Sequence, residues 1–188
     1  MINKVDSKFF LKREDAILLI IDIQEKLAPA MTDPIRTADQ TAALLQGSVL
    51  MGLPVMVTEQ YPRGLGRTVE QIRQHLPADV VISEKISFNA CTDEIRQALI
   101  SSGRKQVVIA GMETHVCVYQ TVRCLLNEGY DVCLAADAIS SRRQDNRENA
   151  IESMRQMGAV ISNTETILFD LLQEAGTPLF KQVSALIK

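Results

Sequence analysis

The chain has 188 residues, of which 46% are hydrophobic and 23% are charged, and its net charge is −3. This length predicts a single domain, residues 1–188, because it leaves too little chain for two comfortable cores. The lysines and arginines are scattered and form no basic stretch, so we expect no nucleic-acid partner.

Short apolar segments alternate with amphipathic helical patterns along the chain. The predicted strands cover residues 17–22, 55–58, 80–83, 106–110, 131–135 and 159–162. The predicted helices cover residues 35–51, 69–75, 93–101, 114–127, 147–157 and 178–187. Strands rich in Ile and Val with little alternation are typical of a parallel sheet that is buried on both faces. The pattern therefore predicts an α/β class, doubly wound three-layer fold with a six-stranded parallel sheet flanked by helices.

The amino-terminal segment and the apolar segments predict the compartment. Residues 1–8 are charged and are not followed by an apolar signal sequence, and the longest apolar run, residues 16–21, is too short to span a bilayer. We therefore expect a cytoplasmic protein with no membrane partner.

The cysteines and histidines do not form a recognisable metal or disulfide pattern. The four cysteines, Cys91, Cys117, Cys124 and Cys133, are widely spaced, and the two histidines are far apart. A disulfide framework and a zinc site are both unexpected for this spacing. Cys124 lies two helical turns beyond Cys117, and we interpret it as a core residue.

The most informative segment is residues 111–117, Gly-Met-Glu-Thr-His-Val-Cys, between the fourth predicted strand and the next helix. Its Cys117 is expected at the carboxyl edge of the parallel sheet, where open α/β folds bind ligands. The positive end of the helix dipole there favours a thiolate over a thiol. This position predicts a nucleophile, with a buried structural cysteine as the alternative.

Two more polar residues follow predicted strands. Asp22 ends the first strand after four aliphatic residues, and Lys85 follows the third. Asp22 is a candidate proton acceptor, and the alternative is that it caps loop amides. For Lys85, the alternative to a role in the site is a solvated surface charge. In a sheet of order 3-2-1-4-5-6, strands one and four are neighbours, so Asp22 and Cys117 converge and the loop that carries Lys85 can reach them.

Together, Asp22, Lys85 and Cys117 resemble the site of the isochorismatase-like cysteine hydrolase superfamily. Residues 110–118 (AGMETHVCV) are similar to the Gly-x-x-Thr-x-x-Cys-Val turn of that family. Residues 58–66 and 137–142 look most like the branch called isochorismatase domain-containing proteins. The similarity runs from about Asp15 to the carboxyl terminus.

The resemblance implies a mechanism. Cys117 attacks a carbonyl carbon, Asp22 takes the thiol proton and returns it to the leaving group, and Lys85 holds the charges of both. It also implies a cis peptide bond between Met112 and Glu113, and an oxyanion hole formed by the backbone N–H groups of Glu113 and Cys117. The implied reaction is cleavage of a C–N bond in a small amide-like substrate through a thioester.

The sequence departs from nicotinamidases, which bind a metal through an Asp-x-His element after the second strand. The corresponding residues 58–62 contain no histidine, so we expect no metal and no cofactor. Gln24, in the loop after Asp22, and Phe88, three residues after Lys85, are predicted to line the substrate pocket. Relatives commonly form homodimers or larger assemblies, and we expect a homo-oligomer here.

Two other functions use the same residues. The chain could be a thiol-based redox protein that reacts through Cys117, or a non-catalytic oligomeric member of the fold. The second alternative leaves three polar groups around one pocket without a physical purpose.

Overall fold

A computed structural model describes residues 6–187 and contains a six-stranded parallel sheet in the order β3-β2-β1-β4-β5-β6. The predicted fold class and strand order are confirmed. Residues 1–5 of the charged amino-terminal segment, and Lys188, lie outside the described residues. The strands are β1 (Ala16–Ile21), β2 (Val55–Gln60), β3 (Val81–Lys85), β4 (Gln106–Met112), β5 (Asp131–Ser140) and β6 (Val160–Ser162).

Helices cover both faces of the sheet. They are α1 (Pro34–Leu50), α2 (Pro62–Leu65), α3 (Glu70–Arg73), α4 (Asp93–Ser102), α5 (Tyr119–Asn127), α6 (Gln144–Gln156), α7 (Thr164–Leu172) and α8 (Pro178–Ala185). Side chains of α1, α7 and α8 pack on one face, and those of α4, α5 and α6 pack on the other. Within residues 6–187, no helix combines the length and the apolar character needed to cross a membrane.

Strand β1 lies in the centre of the sheet and explains the two cores. Its six residues, Ala-Ile-Leu-Leu-Ile-Ile, are all fully buried. Leu18 and Ile20 pack on the α1 side, whereas Ile17, Leu19 and Ile21 pack on the α4 side, because successive strand residues point to opposite faces. Each such fully buried side chain stabilises the fold by about 1.5–3 kcal/mol. An apolar strand without alternation therefore forms the middle of the three layers.

The structure corrects several predicted elements: α2 was not predicted, and β2 and β3 each end two residues later than expected, so Lys85 lies in β3. The two largest differences concern β5 and α7. Strand β5 continues to Ser140, beyond its predicted end at residue 135, and its pairing with β4 shifts register between Ile109 and Gly111. Helix α7 was not predicted. It begins after Asn163, whose side chain accepts a hydrogen bond from the N–H of Thr166, and it buries residues 167, 168, 171 and 172. The N-cap and the helical spacing of these apolar residues were signals that could have found it.

Candidate active site

Three buried side chains meet at the carboxyl edge of the sheet. Asp22 directly follows β1, Lys85 is the last residue of β3, and Cys117 lies in the turn between β4 and α5. Lys85 Nζ lies 2.6 Å from Asp22 Oδ2, and the charges of both groups act on the Cys117 thiol. The exposed fractions are 0% for Asp22, 4% for Lys85 and 5% for Cys117. The residues that the sequence singled out therefore share one site.

The Asp22 carboxylate is fixed at both of its oxygens. Thr58 Oγ1 donates a hydrogen bond of 2.8 Å to Oδ1, and Lys85 Nζ donates to Oδ2. The backbone of Asp22 has φ of 54°, in the left-handed region that aspartate tolerates better than most residues. Thr58, which ends the neighbouring predicted strand, was not identified as a site residue.

The Lys85 ammonium is held by four oxygen atoms. Besides Asp22, it donates to Gln60 Oε1 at 2.7 Å and to the carbonyls of Ser87 and Phe88 at 3.2 and 3.3 Å. A lysine with this set of acceptors is a fixed positive charge in the site, rather than the solvated surface charge considered as its alternative. Gln60 is a second partner that the sequence did not indicate.

The environment of Cys117 favours the thiol and not the thiolate. Burial, followed by the negative charge of Asp22, raises the pKa of Cys117 to about 12, and the nearby Lys85 ammonium opposes this shift. The net shift is therefore toward the thiol, opposite to the direction expected from the helix dipole alone. One wide helical turn (Thr114–Val118) precedes α5, and desolvation outweighs the favourable charges around the sulfur.

The turn before Cys117 has an unusual backbone. The Met112–Glu113 peptide bond is cis. The carbonyl of Glu113 accepts hydrogen bonds from the N–H groups of Val116 (3.0 Å) and Val118 (3.3 Å). Among the described residues, the N–H of Cys117 between them makes no such bond to this carbonyl. The N–H of Cys117 thus differs from those of Val116 and Val118, which both donate to the Glu113 carbonyl.

Gly111 allows this turn to lie close to Asp22. A Cβ atom on Gly111 would lie 2.5 Å from the carbonyl oxygen of Ile21, the residue before Asp22, and φ of Gly111 is 154°. Only glycine fits so close to the neighbouring backbone. The ends of β1 and β4, which carry Asp22 and the Cys117 turn, are in contact for this reason.

The side chains of Glu113 and His115 contact the loop after β5. The Glu113 carboxylate accepts hydrogen bonds from the backbone N–H of Arg142 at 3.1 Å and from its Nε at 3.0 Å. His115 Nδ1 lies 3.0 Å from Ser141 Oγ. Glu113 and His115 therefore join the Cys117 turn to the end of β5.

The two predicted pocket residues lie in different surroundings. Gln24 is fully buried, and its amide bonds the backbone of Gln60 in both directions (2.7 and 3.0 Å) and the carbonyl of Gly66 (2.7 Å). It fixes the loop after β2. Phe88 is 52% exposed, and Tyr61, another aromatic residue, is 51% exposed. Contact of Gln24 or Phe88 with a substrate stays a prediction.

Thr121 connects Cys117 to the loop that follows β3. Its buried hydroxyl donates to the carbonyl of Cys117 at 2.6 Å and accepts from the N–H of Ala90 at 2.9 Å. For any reaction that uses Cys117 as the nucleophile, we expect Thr121→Val to lower kcat by roughly tenfold, because a small displacement of the sulfur is costly. The unfolding free energy should fall by about 1–3 kcal/mol, because the N–H of Ala90 loses its acceptor.

Thr121→Ser is the matched control for this change, since it keeps the hydroxyl. Steady-state kinetics and urea denaturation of both variants measure the two effects. A kcat of Thr121→Val equal to that of Thr121→Ser would contradict a positioning role.

Within residues 6–187, no cluster of three His, Cys, Asp or Glu side chains could hold a metal ion. In the candidate site, Asp22 and Lys85 form an ion pair, and the Asp22 carboxylate is already bonded at both of its oxygens.

Comparison with known sequences identifies related proteins. The sequence model of the isochorismatase domain family matches residues 16–166. The secreted isochorismatase effector Isc1 of Phytophthora sojae is 38% identical over 177 residues, which cover 92% of this chain and 84% of that protein. Isochorismatase domain-containing protein 2 of Danio rerio is 35% identical over 178 residues, which cover 94% of this chain and 89% of that protein.

Solved structures with the same architecture cover nearly all of the chain. A MAR1 ribonuclease from Caenorhabditis elegans has a TM-score of 0.91 and 32% identity, covering 95% of this chain and 92% of its own. YcaC from Pseudomonas aeruginosa, with hexane-2,5-diol and covalent acrylamide, has a TM-score of 0.88 and 26% identity, covering 94% and 91%. The Escherichia coli YcaC gene product, described as an octameric hydrolase of unknown specificity, has a TM-score of 0.84 and 25% identity, covering 95% and 87%.

Proposed function

The chain belongs to the isochorismatase family, and on this premise we propose that it is a metal-independent cysteine hydrolase. Its reaction is cleavage of a C–N bond in a small amide-like substrate through a thioester on Cys117. The observation that carries this proposal is the buried contact among Asp22, Lys85 and Cys117, with Lys85 Nζ 2.6 Å from Asp22. Such a set joins a nucleophile, a base and a balancing charge in one site.

In the first half of the reaction, the thiol loses its proton as it attacks. With the pKa of Cys117 raised to about 12, little thiolate is present at neutral pH. The Asp22 carboxylate therefore accepts the proton while the sulfur bonds to the carbonyl carbon. The backbone N–H groups of Glu113 and Cys117 bind the oxyanion, and each such donor contributes about 3 kcal/mol to stabilising the transition state.

In the second half, the proton returns and water replaces sulfur. Asp22 gives its proton to the leaving nitrogen as the C–N bond breaks, which leaves a thioester on Cys117. Asp22 then takes a proton from water as the water oxygen attacks the thioester carbon. The C–S bond breaks, the acid is released, and Asp22 returns the proton to the Cys117 sulfur. Lys85 keeps the Asp22 carboxylate oriented through both halves.

The two alternatives fit the site less well. Cysteines that react with oxidants usually have a lowered pKa, whereas that of Cys117 is raised. A buried ion pair is often no more stable than an apolar pair of the same volume, so Asp22 and Lys85 have little use in a non-catalytic protein. One structural neighbour is named a ribonuclease, which suggests RNA as the substrate of that neighbour. For this chain, the net charge of −3 and the buried thiol favour a small amide over RNA.

A substrate panel with covalent trapping tests this function. The panel contains small amides, ureido acids, nicotinamide and single-stranded RNA, and acid or ammonia release is measured. We expect hydrolysis of at least one small amide, abolished in Cys117→Ser, and a wild-type acyl adduct on residues 106–123 in a rapid acid quench. Acrylamide, bound covalently in one structural neighbour, serves as the electrophilic probe. Turnover that survives Cys117→Ser, or RNA cleavage without amide hydrolysis, would contradict the proposal.

We further propose that residues 1–188 form one domain and that the protein works in the cytoplasm as a homo-oligomer. A structural neighbour is octameric, which supports assembly of this chain into a dimer or larger particle. The proposed site needs a small-molecule substrate and no cofactor, nucleic acid or membrane. Light scattering coupled to size exclusion measures the oligomeric state directly.

A further inference from the structure

Two cysteines outside the proposed mechanism, Cys91 and Cys124, lie next to each other beside the active site. Cys91 precedes α4 and is 4% exposed, and Cys124 lies in α5 and is half-buried. Both pack in the same apolar cluster, and the guanidinium of Arg96 bonds the carbonyl of Cys91 and the sulfur of Cys124. The interpretation of Cys124 as a core residue therefore misses the second cysteine beside it.

Charged groups surround the more accessible thiol. Arg96 Nη2 donates to Cys124 Sγ at 3.3 Å, and Cys124 Sγ lies 3.3 Å from Glu128 Oε1. The same guanidinium donates to the carbonyl of Cys91 at 2.5 Å and to Glu128 at 2.8 Å. The guanidinium therefore bonds the backbone of one cysteine and the sulfur of the other. Arg96 thus joins both cysteines to one ion pair.

We propose that Cys91 and Cys124 form a peroxide-sensitive dithiol site that closes to a disulfide. Cys124 sulfur attacks one oxygen of hydrogen peroxide or an organic hydroperoxide, the O–O bond breaks, and the sulfenic acid and water or an alcohol form. Cys91 sulfur then attacks Cys124 sulfur, the S–O bond breaks, and hydroxide leaves with the Cys91 proton as water. The two sulfurs together lose two electrons, which reduce the peroxide.

This site is separate from Cys117 but is connected to it. Cys91 follows Ala90, whose N–H bonds Thr121, and Thr121 bonds the carbonyl of Cys117. Cys124 lies in the helix that the Cys117 turn leads into. A bond between the two sulfurs would fix the loop after β3 to α5, on either side of the Thr121 contact. The proposal does not depend on the reaction assigned to Cys117.

Peptide mapping of the oxidised native protein tests the proposal. Reduced full-length protein is treated with hydrogen peroxide, its free thiols are blocked, and it is digested without reductant by trypsin and glutamyl endopeptidase. The digestion leaves Cys91 in residues 86–94, Cys124 in residues 124–128, and Cys117 in residues 114–123, or in residues 106–123 where Glu113 is not cleaved. We expect the first two peptides to be linked, and the linkage to disappear on treatment with dithiothreitol.

Three variants show whether the chemistry is the proposed one. The linkage should persist in Cys117→Ala and be absent from Cys124→Ser. Arg96→Gln should slow its formation by roughly tenfold, because the guanidinium that bonds the Cys91 carbonyl and the Cys124 sulfur is lost. Circular dichroism confirms that each variant is folded. Three outcomes would overturn the proposal: Cys124 oxidised to sulfinic acid without linkage, linkage only in urea, or linkage through Cys117.

Discussion

Asp22→Asn is expected to make Cys117 react faster with an alkylating agent while hydrolysis is lost. Removing the carboxylate removes a negative charge that raises the pKa of Cys117, whereas the Lys85 ammonium that lowers this pKa remains. The thiolate fraction at neutral pH should therefore rise. Turnover should fall by about 10²–10⁴-fold, the usual contribution of a general base, because asparagine cannot accept the proton.

The rate of iodoacetamide reaction between pH 6 and 10 measures the first effect, by quantifying the Cys117 peptide. In the wild type, this rate should rise about tenfold per pH unit without reaching a plateau, because the pKa of Cys117 lies near 12. In Asp22→Asn, the whole curve should move to lower pH. Glu25→Gln, at an exposed carboxylate three residues away, is the control. Identical curves for wild type and Asp22→Asn, or retained turnover, would refute the assigned role.

Lys85→Met is expected to destabilise the protein more than a typical lysine substitution. The change leaves the Asp22 carboxylate fully buried with Thr58 as its remaining side-chain partner. Breaking a buried ion pair from one side costs about 3–5 kcal/mol. Removing both charges is much less costly, so the double variant Asp22→Asn/Lys85→Met should recover most of the loss. Both variants should be inactive in hydrolysis.

Urea denaturation at pH 7 measures these unfolding free energies. Lys26→Met, at an exposed lysine near the same edge of the sheet, is the matched control and should change stability by less than about 0.5 kcal/mol. A double variant that is less stable than Lys85→Met would show that the two charges do not compensate each other. The proposal that the Lys85 ammonium neutralises the Asp22 carboxylate would then be wrong.

The sheet and the meeting of its three polar residues could be predicted from sequence because both follow from strand order. The apolar residues of β1 and β4 indicate burial on both faces, which requires a central parallel pair. Once these strands are neighbours, Asp22 and Cys117 must lie at the same edge. Strand order alone does not place the Lys85 ammonium beside Asp22, because its position also depends on the bonds to Gln60 and to the loop carbonyls.

The protonation of Cys117 could not be predicted, because it depends on the balance between burial and the opposing charges of Asp22 and Lys85. Sequence position suggests the helix dipole, but not the degree of burial or the side on which Asp22 lies. Thr58, Gln60 and Thr121 were missed for a related reason. Each makes a hydrogen bond to a residue that is 25 to 36 positions away in the sequence. Their identities alone are compatible with many surface positions.

The arrangement around Gln60 has a consequence for altering selectivity. Its side chain accepts from Lys85 and donates to the carbonyl of Ile86, and its backbone N–H donates to Gln24, which also bonds Gly66. If the loop around the exposed Tyr61 is remodelled as an entrance for a bulkier amide, the change would also disturb the ammonium that neutralises Asp22. Engineered variants of this entrance should be screened for chemical competence together with fit, because the two properties share one glutamine.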